Sequence, residues 1–172
     1  MHFRRAPAAA TLAQWASEVD GLRARHTGDD LVAALKAWGT AQGIAYLGQG
    51  ARRTVFDLGN GTVVKFPGHK RGAYNNQIEA AVWADAPPSV RRWLVPVLGT
   101  DSAGAWLLMP FVEAAAAGGT ERDPHDVVFD YGMLQALARY GILDPTVFNV
   151  SVDGRMFDYG AVASFRLRAL GL

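Results

Sequence analysis

The apolar residues of this chain change period between Trp38 and Ile44, and that change limits what it can fold into. Upstream, Leu12, Trp15, Val19 and Leu22 recur at helical spacing, and Leu31, Leu35 and Trp38 share a second helical face. Thr27, Asp29 and Asp30 offer acidic chemistry at the start of that second helix, and Gly39 is placed to cap its end. Downstream, Ile44–Gly48, Thr54–Leu58 and Thr62–Phe66 are short runs rich in apolar and β-branched residues, the pattern of strands. Gly59-Asn60-Gly61 joins the last two as a tight hairpin, since Gly and Asn tolerate positive φ. A helix over Tyr74–Ala84 follows, stopped by Pro87-Pro88, and then strands over Val95–Thr100 and Ala105–Met109 about an Asp101–Gly104 turn. The fold class is α+β, with a five-stranded antiparallel sheet carrying one helix.

Beyond the sheet, Ala114–Gly119 is a small-residue linker. Pro124 starts an amphipathic helix whose face carries Val127, Val128, Tyr131, Leu134, Leu137 and Ala138. A hairpin pairs Val150–Val152 with Arg155–Phe157 about Asp153-Gly154, and Ala161–Leu172 provides a last helix. The organisation expected is a helical extension over residues 1–40, a sheet lobe over 41–113 and a reduced helical lobe over 114–172.

Charge and cysteine content exclude several classes of function. The 17 basic and 16 acidic residues leave a net charge of +1, which provides no electrostatic footprint for nucleic acid or an anionic membrane. With no cysteine, disulfides, thiolate catalysis and Cys-ligated metals are out of reach. His2, His26, His69 and His125 lie too far apart to form a metal-ligand motif. Gln14, Ser17 and Glu18 interrupt the apolar core that a signal peptide needs, and no stretch is long enough to span a membrane. The expected setting is the cytoplasm.

Four segments carry chemistry. Gly48-Gln49-Gly50 lies between two strands, where missing Cβ atoms let backbone amides approach phosphate. Lys65 ends the apolar strand Thr62-Val63-Val64, so its ammonium sits near low-dielectric surface and needs an anion. Phosphate and Glu79, an acid amid the apolar residues of the next helix, are the natural partners. Asp144 precedes Asn149 by five residues, which puts a base and a metal ligand on one loop. Asp158, across the short hairpin, completes a hard-oxygen set suited to Mg²⁺ and phosphate.

In this order the segments resemble the protein-kinase superfamily, including its small-molecule kinases, from about Ile44 to Gly160. G-Q-G-A-R-R-T-V stands against the family's G-x-G-x-x-G-x-V, and Thr62-Val63-Val64-Lys65 occupies the place of the strand lysine. Glu79 matches the helix glutamate, Leu107–Glu113 the strand-to-hinge segment with Met109 as gatekeeper, and Asp158-Tyr159-Gly160 the D-F-G motif. The resemblance implies a two-lobed fold binding ATP and Mg²⁺ between its lobes. Gly48, Gly50, Val55, Val63, Lys65, Glu79, Met109 and Phe111 would surround the nucleotide. Asn149 and Asp158 would hold the metal, while Asp144 and Lys65 would be catalytic. Trp83, one helical turn beyond Glu79, is expected to stack with Leu98 and Tyr159.

The chain also departs from the family pattern. Arg53 replaces the third glycine, and Arg52 and Arg53 read as solvated side chains, with phosphate contact as the alternative. Ile142-Leu143 stands before Asp144 where the family has His-Arg or His-Gly, and only a dozen residues follow Gly160. Three functions are consistent with these features: a minimal phosphotransferase acting on a small molecule or a partner's hydroxyl, a nucleotide-binding pseudokinase, and a kinase-shaped binding module. The short ending implies a second copy or a protein partner covering the reduced lobe.

Overall fold

The computed structural model describes residues 6–50, 52–114, 130–143 and 149–172. Among these the fold is α+β, with a five-stranded antiparallel sheet of order β1-β2-β3-β5-β4 and six helices. The chain divides into two compact units. The first runs to Gln77 and takes in Leu98–Phe111, and the second comprises Ile78–Val97 and Val112–Leu172. No helix of the described residues is long and apolar enough to cross a membrane.

In the first unit, α1 (Ala9–Arg25) and α2 (Gly28–Gln42) bury the stripes that their periodicity marks: Leu12, Trp15, Ala16 and Val19 on one, Leu31, Leu35 and Gly39 on the other. Both stripes share a core with Phe56 of β2 (Arg53–Asp57), Val64 and Phe66 of β3 (Thr62–Pro67), and Leu108 of β5 (Leu107–Pro110). Trp38 is the junction, meeting Trp15, Phe56 and Phe66 edge-on at ring-centroid distances of 5.9, 5.1 and 6.3 Å. Such pairs contribute about 0.5–1.5 kcal/mol each beyond the area they bury. The indole N–H groups of Trp15 and Trp38 donate to Gln42 and Glu18, so burying the rings leaves neither donor unmet.

Gly39 does not end α2. The helix continues to Gln42 and closes on Gly43, whose φ of 72° is the left-handed conformation a glycine cap supplies. Gly39 instead lets the helix approach the sheet, because a Cβ there would sit 3.0 Å from the Phe56 ring and 3.1 Å from the Ile44 carbonyl oxygen.

β1 (Ala45–Gln49), β2 and β3 pair in sequence, and β5 pairs with β3 and with β4. The expected strand over Val95–Thr100 shortens to β4 (Gly99–Thr100), because Val95 gives its N–H to the Met156 carbonyl rather than to the sheet. The Asp101 carboxylate accepts the Ala105 N–H at 2.5 Å, and Gly104 (φ 71°) completes the turn into β5.

Helix α3 (Lys70–Asp85) supplies its residues to Gln77 to the first unit and the remainder to the second. Pro87-Pro88 ends it and also starts α4 (Pro88–Arg91), since proline fits the first helical turn as well as it breaks an interior. α5 (Tyr131–Tyr140) begins at Asp130, whose carboxylate caps the Met133 N–H at 3.0 Å, not at Pro124, which lies outside the described residues. Its buried face is Met133, Leu137 and Tyr140, rotated from the expected one, and Tyr131 is 73 % exposed. The last helix, α6 (Ser164–Ala169), is shorter than expected and buries none of its residues.

Short antiparallel contacts tie the described residues of the second unit together. Residues 150–156 turn about Asp153 and Gly154 (φ 80°), with the Ser151 N–H on the Arg155 carbonyl at 2.8 Å. Ile142 bridges Val162, flanked by bonds from Leu143 to Ala161 and from Ala163 to Gly141. Trp83 carries the Arg91 guanidinium 5.3 Å over its ring, Leu98 is 52 % exposed, and Val82 is the fully buried helix position.

Candidate functional site

Alternation along β3 separates the residues of the site from those of the helical core. Val64 and Phe66 face α1 and α2, so Val63 and Lys65 face the other way. Antiparallel register puts Val55 beside Lys65, Met109 beside Val63 and Leu107 beside Lys65 on that same opposite face. Lys65 is 6 % exposed although it is charged, and Met109 is 1 % exposed, whereas Phe111 at the end of this segment is 45 % exposed. Phe111 is tied back to the hairpin by its N–H on the Gly61 carbonyl.

Arg53 corrects the sequence reading. It shares the Lys65 face of the sheet and is only 6 % exposed, not a solvated surface arginine. Its Nη1 donates to Asn76 Oδ1 at 3.3 Å. Asn76, fully buried on α3, also donates through Nδ2 to the carbonyls of Lys65 (3.3 Å) and Gly104 (2.8 Å). One amide thus fastens α3 to β3, to the turn before β5 and to Arg53. Arg52 remains exposed and donates to Asn75. Nothing in the sequence singles out Asn76, because a polar residue on a surface helix ordinarily faces water.

The glycine-rich loop is anchored at its base. The Gly68 N–H donates to the Arg52 carbonyl at 2.6 Å, and a Cβ on Gly72 would collide with that carbonyl and lie 3.0 Å from Pro67 Cα. Glycine is therefore required at 72 by the protein's own packing. Gly48 and Gly50 differ. Neither has positive φ, a Cβ on Gly48 would meet nothing within 4 Å, and one on Gly50 would lie 3.9 Å from its nearest neighbour. The Gly50 N–H closes the β1–β2 turn on the Arg53 carbonyl at 2.9 Å.

In the second unit, Glu79 is completely buried. The Phe157 N–H donates to the Asn149 carbonyl at 2.9 Å, which brings the backbones of Asn149 and Asp158 alongside each other across the short hairpin. Both residues are half-buried, while Tyr159 is fully buried with its hydroxyl on the Val95 carbonyl at 2.9 Å. Asp144 lies outside the described residues. Among the described residues no three His, Cys, Asp or Glu side chains gather to hold a metal. A Mg²⁺ ion on Asn149 and Asp158 would then take most of its six oxygens from phosphate and water, which is how Mg²⁺ ordinarily binds with nucleotides, so the donor set fits.

Elsewhere burial moves two ionisable groups of α1. Arg23, whose Nη2 donates to Thr54 Oγ1, is pushed below the ordinary arginine range by burial against the sheet, an effect opposed by the charge of Asp20. Asp20 is raised by its own burial and partly restored by Arg23. Both belong to the helix-covered side of the sheet, opposite Lys65. Compared with protein-family models, curated proteins and solved structures, the chain matches none.

Proposed function

We propose that the chain is a kinase-like protein that binds ATP with Mg²⁺, and that it is a minimal phosphotransferase. The observation that carries this reading is the burial of two cations, Arg53 and Lys65, on one sheet face beside a loop whose glycines the fold does not itself require. A polyphosphate is an anion that glycine backbone can approach closely, and a sheet face that carries two cations suits it. Lys65 would hold the phosphates, with Glu79 in the helix-carboxylate role. Val55, Val63, Met109 and Phe111 would meet the base, and Gly48 and Gly50 would lie against the phosphates.

Mg²⁺, when bound, would neutralise charge on the transferring phosphoryl group, and Asn149 and Asp158 are the residues to hold it. Asp144 would accept the proton of an attacking hydroxyl on a small molecule or a partner side chain. Phosphoryl transfer depends mainly on positioning and charge, so a small set of polar groups suffices. A cytoplasmic setting, where MgATP is abundant, belongs to the same reading.

A second reading is binding without transfer, and Ile142 favours it. The position before Leu143-Asp144 is 2 % exposed and bridged to Val162, so no polar side chain there can orient the Asp144 loop. Release of ADP from MgATP, measured with the parent, Asp158→Ala and Asp144→Ala, tests the proposal. Turnover lost in both variants supports transfer, binding with no turnover in the parent supports the second reading, and no binding at all refutes both.

A further inference from the structure

The last helix is attached by something other than apolar burial, since none of its residues is buried. Arg166 makes the attachment. Its guanidinium carbon lies 3.9 Å over the Tyr140 ring, its Nε donates to the Tyr140 carbonyl at 2.8 Å, and its Nη1 is 3.4 Å from Asp85 Oδ2. The Tyr140 hydroxyl donates to that same oxygen at 2.7 Å. The ends of α3 and α5 and the first turn of α6 therefore meet at one carboxylate and one ring. Close contact at the exit of α5 adds to this, since a Cβ on Gly141 (φ 96°) would lie 2.8 Å from the Phe165 ring.

The backbone on either side of this cluster leads along the chain toward Asp144 and from Asp158. From Gly141 the chain runs through Ile142 and Leu143 into Asp144. From Asp158 it runs through Ala161, Val162 and Ala163 into α6. These stretches pair with each other by N–H···O bonds of 2.8 Å from Leu143 to Ala161 and from Ala163 to Gly141. We propose that Arg166 is a positioning residue that clasps Tyr140 and Asp85, and thereby fixes the paired backbone of residues 141–143 and 161–163, which holds the stretch that leads from Asp158. This rests on the nucleotide reading for its consequence, but not for its geometry. An exposed ion pair alone contributes little. The planar guanidinium here stacks on a ring and donates to a carbonyl at once, a combination lysine cannot reproduce.

The test compares Arg166→Ala and Arg166→Lys with Arg168→Ala, an exposed arginine on the same helix. Amide exchange without nucleotide should show the Leu143 and Ala163 N–H groups losing protection about tenfold or more in both Arg166 variants, and unchanged in Arg168→Ala. MgATP affinity should fall about tenfold in Arg166→Ala while affinity for ATP in excess chelator stays put, the pattern of a displaced metal-side loop rather than a damaged protein. Unchanged protection at Leu143 and Ala163 in a folded Arg166→Ala overturns the clasp, as does full rescue by lysine. Equal weakening with and without Mg²⁺ overturns the positioning role. If the parent binds no nucleotide, the functional reading fails and exchange alone decides the clasp. Should Arg166→Ala not fold, Asp85→Asn removes the charge while keeping the shape, and is expected to lower the same two protections by a smaller factor.

Discussion

Replacing Gly39 by alanine should destabilise the protein, although the same replacement at Gly21 should stabilise it. Both glycines are interior to helices, where alanine is favoured by about 0.5–1 kcal/mol through backbone entropy. At Gly21 a Cβ would meet only the tip of Arg25, 3.3 Å away, and that long side chain can swing aside. At Gly39 it would meet the Phe56 ring at 3.0 Å and the Ile44 carbonyl oxygen at 3.1 Å. Neither can yield, because Phe56 is fully buried beneath Trp38, Tyr46 and Phe66, and the Ile44 N–H is itself bonded to the Gly39 carbonyl. Overpacking of this kind costs about 1–3 kcal/mol, which set against an entropic gain of about 0.5–1 kcal/mol leaves a net loss of up to about 2.5 kcal/mol. Urea unfolding followed by tryptophan emission measures both variants, with the midpoint moving down for Gly39→Ala and up for Gly21→Ala. A stabilised Gly39→Ala would show that α2 does not press against the sheet as described.

Two further outcomes follow from buried polar contacts. Asn76→Ala removes the donor to the Lys65 and Gly104 carbonyls and an acceptor of Arg53, and should cost about 2–3 kcal/mol in the same urea assay; a near-neutral change would show that these bonds are not made. Tyr140 is raised above the ordinary tyrosine range, first by burial and then by its hydrogen bond to Asp85 and that residue's charge. Below pH 10 the phenol is protonated whether the chain is folded or not, and its contribution is fully present. Above pH 10 the unfolded chain ionises first, so this contribution falls as pH rises toward the folded value. Tyr140→Phe should be less stable by about 1 kcal/mol at neutral pH and should lose stability less steeply above pH 10; parallel curves would contradict the assignment.

Much of the first unit is legible in the sequence because local pattern and final packing agree there. Leu12, Trp15 and Val19 are spaced for one helical face and bury it, and Val64 and Phe66 alternate with Val63 and Lys65 as the strand period requires. The illegible parts depend on partners distant along the chain. Val95 reads as the start of a sheet strand, and its N–H is taken by Met156. Arg53 reads as solvated, and is buried against an asparagine 23 residues away. Proline in the Pro87-Pro88 pair signals a helix end and a helix start with equal force, and only the following backbone distinguishes them. Of the candidate site, the burial of Lys65 and Glu79 and the backbone nearness of Asn149 to Asp158 could be anticipated from residue type and spacing. Asn76 and the Arg166 clasp could not, since each is defined by atoms that meet only after folding.

The most direct test of the central claim is a titration of MgATP into the purified protein during thermal unfolding, with Lys65→Met alongside. At one hundred times Kd a ligand that binds only the folded chain stabilises it by about 2.7 kcal/mol. For a chain of this size that raises the midpoint by roughly 5–10 °C. The account requires such a rise in the parent and its loss in a folded Lys65→Met variant. No rise at millimolar MgATP, or an equal rise in both proteins, would contradict it.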